Sequence, residues 1–220
     1  MSSTRLLVLG VLRILQPTHG YQVRAELLSW GVDEWARINP GSIYNALRTL
    51  ERHQLVRVVD ASQDGNRPAR TTYELTRDGE SEFFGLLRGA LWSLDEHDPS
   101  TIQAGLSFVN WLTRYEVVEA MTARIALLDA RLAEIGHHRR HLTEARNLPF
   151  QAVEGSEVHE AHLRGERAWA EAFAERVRSG RYLFYPEAGW DAGPGPDGWV
   201  FDRSEVGDVG GTSRDAEPQD

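Results

Sequence analysis

The chain of 220 residues is long enough for one domain of ordinary size and a smaller second one, and its 41% hydrophobic share can supply a core. It has no cysteine, which excludes disulfides, thiol redox sensing and cysteine-based zinc sites, and favours a cytoplasmic location. No apolar run approaches the roughly 18 residues of a membrane span, and the N-terminal apolar stretch lacks the pattern of a signal peptide, so we expect no membrane partner.

Two helices are predicted before residue 31. Residues 6–15 are almost wholly apolar, which predicts a buried helix. Residues 19–30 form an amphipathic stretch, for which we predict four inward side chains: Tyr21, Val23, Leu27 and Leu28.

A third helix is predicted after Asn39, which can serve as its N-cap, with Pro40 at the first position. Ile43, Leu47 and Leu50 then fall on one side at 100° per residue. The opposite side carries hydrogen-bonding and cationic groups that suit a helix lying in a DNA major groove. We predict DNA contacts from Ser42, Tyr44, Asn45, Arg48, Thr49 and Arg52. A polar helix face exposed only to solvent remains an alternative explanation for this segment alone.

A hairpin follows, with one strand at residues 55–60 and the other at 71–76. The polar loop between them, residues 61–70, holds Arg67 and Arg70, which could reach phosphates or a minor groove. Three helices followed by a two-stranded wing predict a winged helix-turn-helix domain over roughly residues 4–76.

Four segments in this order resemble the PadR family of transcriptional regulators. They are Leu7-Val8-Leu9-Gly10, His19-Gly20-Tyr21, Pro40-Gly41-Ser42-Ile43-Tyr44 with Leu47 and Leu50-Glu51, and Arg67-Pro68 followed by Tyr73-Glu74-Leu75-Thr76-Arg77-Asp78-Gly79. The resemblance covers about the first eighty residues. It implies an operator-binding repressor, usually a dimer and often released by a small molecule, with DNA contacts near Ser42, Tyr44 and, in the wing, Arg67.

Helices dominate the second half of the sequence. We predict them at residues 78–94, at 101–112, from Thr113 to near Asn147, and at 157–178. Thr113 and Glu116 have the spacing of a capping box, in which each side chain accepts from the other residue's free amide.

The long third helix of this half carries an apolar stripe spaced by threes and fours. Its members are Val118, Met121, Ile125, Leu128, Leu132 and Ile135. Such a stripe is typical of a long helix packed lengthwise against another. We expect a dimer interface here, because a two-fold dimer reads two half-sites of DNA and because the larger PadR proteins resemble this layout. An antiparallel bundle within one subunit would use the same stripe.

Two further groups of side chains are candidate ligand sites. Trp92 and Trp111 could stack with a flat aromatic effector, an arrangement that the drug-sensing members of the family resemble, although a tryptophan on an apolar helix is usually core. His137 and His141 share a helix face, but Arg139 and Arg140 lie between them and no third ligand is placed by the sequence. We therefore expect neither a metal nor a cofactor.

The charge is unevenly distributed along the chain. Residues 1–79 hold ten arginines against eight acids, a net of +2, within a chain whose net charge is −9. Residues 80–184 have a net charge of −4 and residues 185–220 a net charge of −7. The acidic residues are therefore concentrated outside residues 1–79, the candidate DNA-binding domain, which is called the reading head below. The final segment, rich in proline, glycine and acids, is predicted to be disordered.

The predicted fold is mostly α, with a winged helix-turn-helix DNA-binding domain at 1–79, a helical dimerisation and effector domain at 80–184, and an acidic tail at 185–220. The predicted function is that of a homodimeric regulator of transcription that binds double-stranded DNA, most simply a repressor. The alternative is a winged helix that contacts another protein and has no operator of its own. Sequence motifs of an enzyme are absent.

Overall fold

The computed structural model describes residues 3–62, 70–96, 98–145 and 149–186. Its helices are α1 Ser3–Leu15, α2 Gly20–Ser29, α3 Val32–Trp35, α4 Pro40–Arg52, α5 Arg77–Trp92, α6 Ser100–Leu106, α7 Arg114–Arg140 and α8 Glu154–Arg178. Its strands are β1 Thr18–His19, β2 Val56–Ser62 and β3 Arg70–Leu75. Within the described residues, no helix is both long enough and apolar enough to cross a membrane.

Side-chain caps fix where several helices begin. The Asn39 side chain accepts from the Ser42 amide at the start of α4, and the Thr76 side chain accepts from the Gly79 amide at the start of α5. The capping box predicted for Thr113 and Glu116 is confirmed, with both reciprocal bonds present at the start of α7. The starts of these helices can be predicted from the sequence because each cap depends on residues no more than three positions apart.

The wing is an antiparallel sheet of three strands in the order β1-β3-β2. Val56 pairs with Leu75 at the base of the hairpin, and a register shift lies between Val58 and Asp60. Strand β1 was not predicted, since it has two residues and is held only by its pairing with β3. The wing tip at residues 63–69, which includes Arg67, lies outside the described residues.

Helix α1 lies at the centre of the fold and packs against α2, α4, α5 and α6. Leu7, Val8, Leu9, Val11 and Leu12 are completely buried, which confirms the predicted buried helix. The main core continues without a break from Leu6 in α1 to Phe184 after α8. The winged helix and the helical region therefore share one hydrophobic core. Helix α5 runs across the predicted domain boundary at residue 79.

Helices α7 and α8 form an antiparallel pair. Arg139 bonds to Glu157 near one end, and Arg124 contacts Glu166 at 2.6 Å further along. Helix α8 begins three residues earlier than predicted, at Glu154, and the predicted end of α7 at Asn147 lies outside the described residues.

The predicted dimer stripe is largely used within the subunit. Met121 and Leu128 are fully buried and Ile135 is 8% exposed, so these three side chains pack inside the same chain and not against a second subunit. The other three, Val118, Ile125 and Leu132, are half-buried against the same cores. An apolar stripe is satisfied equally by a helix of its own chain, which is the arrangement that the sequence left open. A dimer contact would have to use other faces as well.

Candidate DNA-binding surface

Helix α4 divides into an inner and an outer face as predicted. Ile43, Leu47 and Leu50 are buried with at most 1% of their surface exposed. The outward side chains of Tyr44, Asn45, Arg48 and Arg52 are exposed, and those of Ser42 and Thr49 are half-buried. The buried face fixes the helix on α1 and α2, which leaves the polar face available to a partner.

Ser42 takes part in the cap of α4. Its hydroxyl donates to Asn39 Oδ1 at 3.0 Å, and its amide donates to the same oxygen at 3.0 Å. In this arrangement the Ser42 proton is in use, so toward DNA the hydroxyl oxygen acts as an acceptor until the cap rearranges.

Arg48 and Arg52 make no hydrogen bond or ion pair within the described part of the chain. The same holds for Arg24 and Arg37 in the winged helix. Arginines of the helical region are mostly neutralised by acids, as in Arg88–Glu116, Arg124–Glu166, Arg131–Glu96 and Arg167–Asp129. The unpaired arginines of the winged helix, Arg24, Arg37, Arg48 and Arg52, are therefore available to phosphate without the loss of an ion pair.

A feature that the sequence reading missed lies at the start of α2. Tyr21 was predicted to face inward, but it is 52% exposed and its ring stacks on His19 at 5.5 Å. The inner set of α2 is Gly20, Val23 and Leu27, and Gly20 packs against the ring of Tyr44 in α4. Tyr21 and Tyr44 thus lie on adjoining parts of one surface. The sequence signal for this arrangement was Gly20 itself, because a residue without a side chain lets α2 approach α4 closely.

The turn before α4 adds one more exposed cation. Arg37 has a φ of 53°, in the left-handed region that non-glycine residues rarely adopt. Such a conformation costs of order 1 kcal/mol and persists where surrounding contacts impose it. Here Ile38, the next residue, is buried and its amide bonds to the Val32 carbonyl at 3.2 Å.

The first turn of α1 forms a groove with α4. Thr4 and Arg5 line it on one side, and Asn45 and Thr49 are among the α4 residues opposite. Arg5 is paired with Glu82 at 2.9 Å. Three of the residues predicted to contact DNA, Ser42, Asn45 and Thr49, therefore share a concave surface of their own subunit.

The predicted wing contacts are only partly located. Arg70 is the first residue of β3 and pairs in register with Ser62, which places its backbone at the open end of the hairpin. Arg57, lower in the wing, is paired with Glu74 at 2.9 Å.

The predicted tryptophan pocket is not formed by both rings. Trp111 is 3% exposed, with the guanidinium carbon of Arg13 at 3.8 Å from its ring centre and the Tyr185 ring at 4.5 Å. Its surface is therefore occupied by the protein itself, so an effector could reach the Trp111 ring only after Arg13 or Tyr185 moved. Trp92 is half-buried and lines a shallow groove with Leu94 and Leu127, to which Trp111 does not contribute.

The histidines line a separate cavity of about 670 Å³ between the end of α7 and the start of α8. It includes His137, His138, His141 and His159, and His159 Nε2 lies 2.8 Å from Glu96. In the part of the chain that the structure describes, no three His, Asp or Glu side chains are arranged to hold a metal ion.

Residues 8–84 match the model of the transcriptional regulator PadR-like family. This segment resembles that family. The match covers α1 from Val8 onward, α2, α3, α4, the wing and the first half of α5. These elements build the surface just described. The PadR-like resemblance and the winged helix fold predicted from the sequence are thus confirmed, and the family consists of transcriptional regulators and not of enzymes.

Several solved structures are similar to this chain at low identity. One is smu.1604c of Streptococcus mutans, with 18% identity, a TM-score of 0.36, and coverage of 76% of this chain and 96% of that one. Another is Bacillus subtilis PadR in complex with operator DNA, with 17% identity, a TM-score of 0.36 and coverage of 80% and 98%. A third is the PadR-like regulator BC1756 of Bacillus cereus, at 18%, 0.32, 79% and 94%. None of the curated proteins compared matches the chain.

Proposed function

We propose that this protein is a homodimeric repressor of transcription that binds specific double-stranded DNA through α4 and the wing. The observation that carries the proposal is the outward face of α4, where Arg48 and Arg52 are exposed and have no partner in the described chain. An unpaired guanidinium is the group that binds phosphate or the edge of guanine with two parallel hydrogen bonds.

The residue types on this face suit distinct roles. Asn45 and Arg48 suit base recognition, because an amide pairs with adenine and a guanidinium with guanine in the major groove. Ser42, Tyr44, Thr49 and Arg52 suit contacts that position the helix on the sugar–phosphate backbone. Arg67 and Arg70 would anchor the wing beside the groove.

A dimer would place two copies of α4 on neighbouring half-sites, roughly 34 Å apart on the same side of the duplex. Exposed apolar side chains of the helical region are available for such a contact, namely Tyr115, Leu127 and Val158, which are 72%, 44% and 57% exposed. Sedimentation equilibrium at micromolar concentration tests this step. A mass near twice that of one chain supports it, and a stable monomer would exclude it.

An effector would act by changing the spacing between the two winged helices of the dimer. Because α5 joins the wing to the helical pair, a ligand bound near α5 can shift DNA affinity if it binds one arrangement better than the other. Trp92, on the last turn of α5, remains a candidate contact for such a ligand.

Selection from sheared genomic DNA tests the central proposal. The full-length protein is incubated with fragments at physiological salt, and the bound fragments are sequenced. We expect enrichment of one or a few sites with two-fold symmetric half-sites, and lower transcription from the adjoining promoter when protein is added in vitro. Enrichment that follows only fragment length would contradict sequence-specific binding.

A protein-binding winged helix is the second candidate, favoured by the low net charge of the reading head. The same experiment separates the two. An Arg48→Ala, Arg52→Ala double variant that loses the enriched sites supports DNA reading. Capture of a partner protein by α4 with no enriched DNA would support the alternative.

A further inference from the structure

The chain that follows α8 returns to the body of the protein. Phe184 is buried in the main core with 1% of its surface exposed, and the Tyr185 amide donates to the Asn110 carbonyl at 2.9 Å. The Tyr185 ring lies on Trp111, with the two ring centres 4.5 Å apart. We call residues 187–220, which lie outside the described residues, the tail segment. It is attached at a fixed place on the folded protein.

The tail segment has a composition that suits a cationic, aromatic surface. Its 34 residues contain nine acids and two arginines, which gives a net charge of −7. Trp190, Trp199 and Phe201 are interspersed among the acids. Acidic tails are often interaction segments. Anionic groups next to flat rings are also what a nucleic acid presents to a protein, so the tail segment and DNA suit the same kind of surface.

The outward face of α4 is a surface of this kind. Arg48 and Arg52 are exposed and have no partner among the described residues. Tyr44 lies on the same face and is 37% exposed, and Tyr21, on the adjoining part of α2, is 52% exposed. Glu51 is the acid that flanks this face at helical spacing. Two free guanidinium groups and two exposed phenol rings are therefore available to carboxylates and to aromatic side chains.

The tail segment is long enough to reach α4. The Trp111 ring, on which Tyr185 lies, has the guanidinium carbon of Arg13 in α1 at 3.8 Å from its centre, and α1 packs against α4. The path from Tyr185 along α1 to α4 is about 40–50 Å, from the rise of a helix and the spacing of packed helices. Asp202 and the acids after it are separated from Tyr185 by a chain that extends to about 55 Å or more, so they can contact α4.

We infer that the tail segment docks on the outward face of α4, with its carboxylates at Arg48 and Arg52 and its aromatic rings beside Tyr44, and that DNA displaces it. Attachment to the same chain gives the tail segment an effective concentration of about 1 mM. If it occupies α4 nine-tenths of the time, the affinity for every duplex falls about tenfold. The same segment added as a separate peptide would then bind with a Kd of about 0.1 mM.

Competition of this kind has an electrostatic signature. The contact of the tail segment with α4 is screened by salt, so its occupancy falls as the salt concentration rises. Proteins with and without the tail charges should therefore converge in DNA affinity at high salt. The effect on DNA binding rests on the proposed function, whereas docking of the tail segment on α4 does not.

A peptide titration tests docking without DNA. The probe is a fluorescein-labelled peptide of residues 187–220, and its partner is a full-length variant in which all nine acids of the tail segment are replaced by the matching amides. By fluorescence anisotropy at low salt we expect a Kd of about 0.1 mM, weakened at least fivefold by the further changes Arg48→Ala and Arg52→Ala.

The matched control for the peptide titration is the pair Arg140→Ala and Arg181→Ala. These two arginines are also exposed, and their side chains have no partner among the described residues, but they lie in the helical region. Peptide binding should be unchanged in this control. No binding at 1 mM protein, or an equal loss in both pairs, would overturn the inference.

DNA binding tests the consequence. At 50 mM salt the tail-neutral variant should bind the selected operator and a scrambled duplex each about tenfold more tightly than the wild type does, and the gain should shrink at 300 mM salt. The control variant carries Glu119→Gln, Glu144→Gln and Glu154→Gln, which remove exposed, unpaired charges of the helical region.

The outcomes separate docking from the proposed function. A gain in the control variant as large, per charge removed, as in the tail-neutral variant would indicate general repulsion and overturn the competition. Unchanged affinity in the tail-neutral variant would overturn it as well. Peptide docking on α4 with no DNA binding by any variant would support the inference and count against the proposed function alone.

Discussion

Arg48 and Arg52 differ from most arginines of the helical region, because no carboxylate of the described chain neutralises them. Their carbon stems rise from a helix whose other face is completely buried, so the guanidinium groups point away from the core. Because these two exposed guanidinium groups have no partner in the described chain, they can bind DNA without first breaking an ion pair.

Replacing either arginine should therefore weaken DNA binding with little effect on folding. We expect Arg48→Ala and Arg52→Ala each to lower operator affinity about tenfold or more, corresponding to about 1–3 kcal/mol per contact, and to flatten the salt dependence where a phosphate contact is lost. Arg88→Ala, which breaks an exposed pair with Glu116, is the control and should leave affinity unchanged. An equal loss in all three variants would indicate a general charge effect and contradict the assigned face.

The buried pair Arg13–Glu80 makes a second prediction at this scale. Arg13 Nε donates to Glu80 Oε1 at 2.6 Å, and the Arg13 side chain is fully buried against the rings of Phe84 and Trp111. Burial raises the pKa of the Glu80 carboxyl, and the attraction of Arg13 offsets this only in part. The folded protein therefore holds the Glu80 proton more tightly than the unfolded chain does.

From this it follows that Glu80 lowers stability as the pH rises. Its contribution is most favourable below the ordinary pKa of a glutamate, near 4.5, and declines as the pH passes from there through the raised pKa of the folded state. In Glu80→Gln the amide oxygen can still accept from Arg13, and this dependence is absent. Urea unfolding of both proteins from acid to neutral pH should show the wild type losing stability relative to the variant. A constant difference, or one of opposite sign, would contradict the raised pKa.

At the scale of elements, the sequence predicted what depends on near neighbours along the chain. The starts of α4 and α7 follow from Asn39 and from the Thr113–Glu116 box, and the inner face of α4 follows from helical spacing. Contacts between distant segments were not predictable in this way. Tyr21 faces solvent because Gly20 takes the place against Tyr44. The apolar stripe of α7 packs against α8, and its spacing could not predict this because spacing alone does not tell whether the partner helix belongs to the same chain.

Two helical glycines give a matched test of element packing. A side chain at Gly10 would overlap the ring of Phe108, whereas one at Gly85 would meet nothing within 4 Å. Gly10→Ala should lower the free energy of unfolding by about 1–3 kcal/mol through overpacking, and Gly85→Ala should raise it by about 0.5–1 kcal/mol through helix propensity. Thermal or urea unfolding measures both. Stabilisation by Gly10→Ala would show that α1 does not pack on Phe108 as described.

At the scale of the whole molecule, the winged helix is not a separate domain joined by a flexible linker, because it shares its core with the helical region. One hydrophobic core runs from α1 through α5 to α8, and residues 8–84, the PadR-like segment, end in the middle of α5. The residues of this core are spread over the whole chain, so no local pattern could have placed them together. Packed side chains therefore connect α6 and α8 with α4.

Binding of the purified protein to the DNA upstream of its own gene is the most direct test of this account. It should be measured at two salt concentrations beside a scrambled duplex of the same length. We predict specific binding that weakens steeply with salt, with two chains on each duplex. Equal, weak binding to both duplexes, together with no enriched site in the genomic selection, would contradict the central claim that α4 reads an operator.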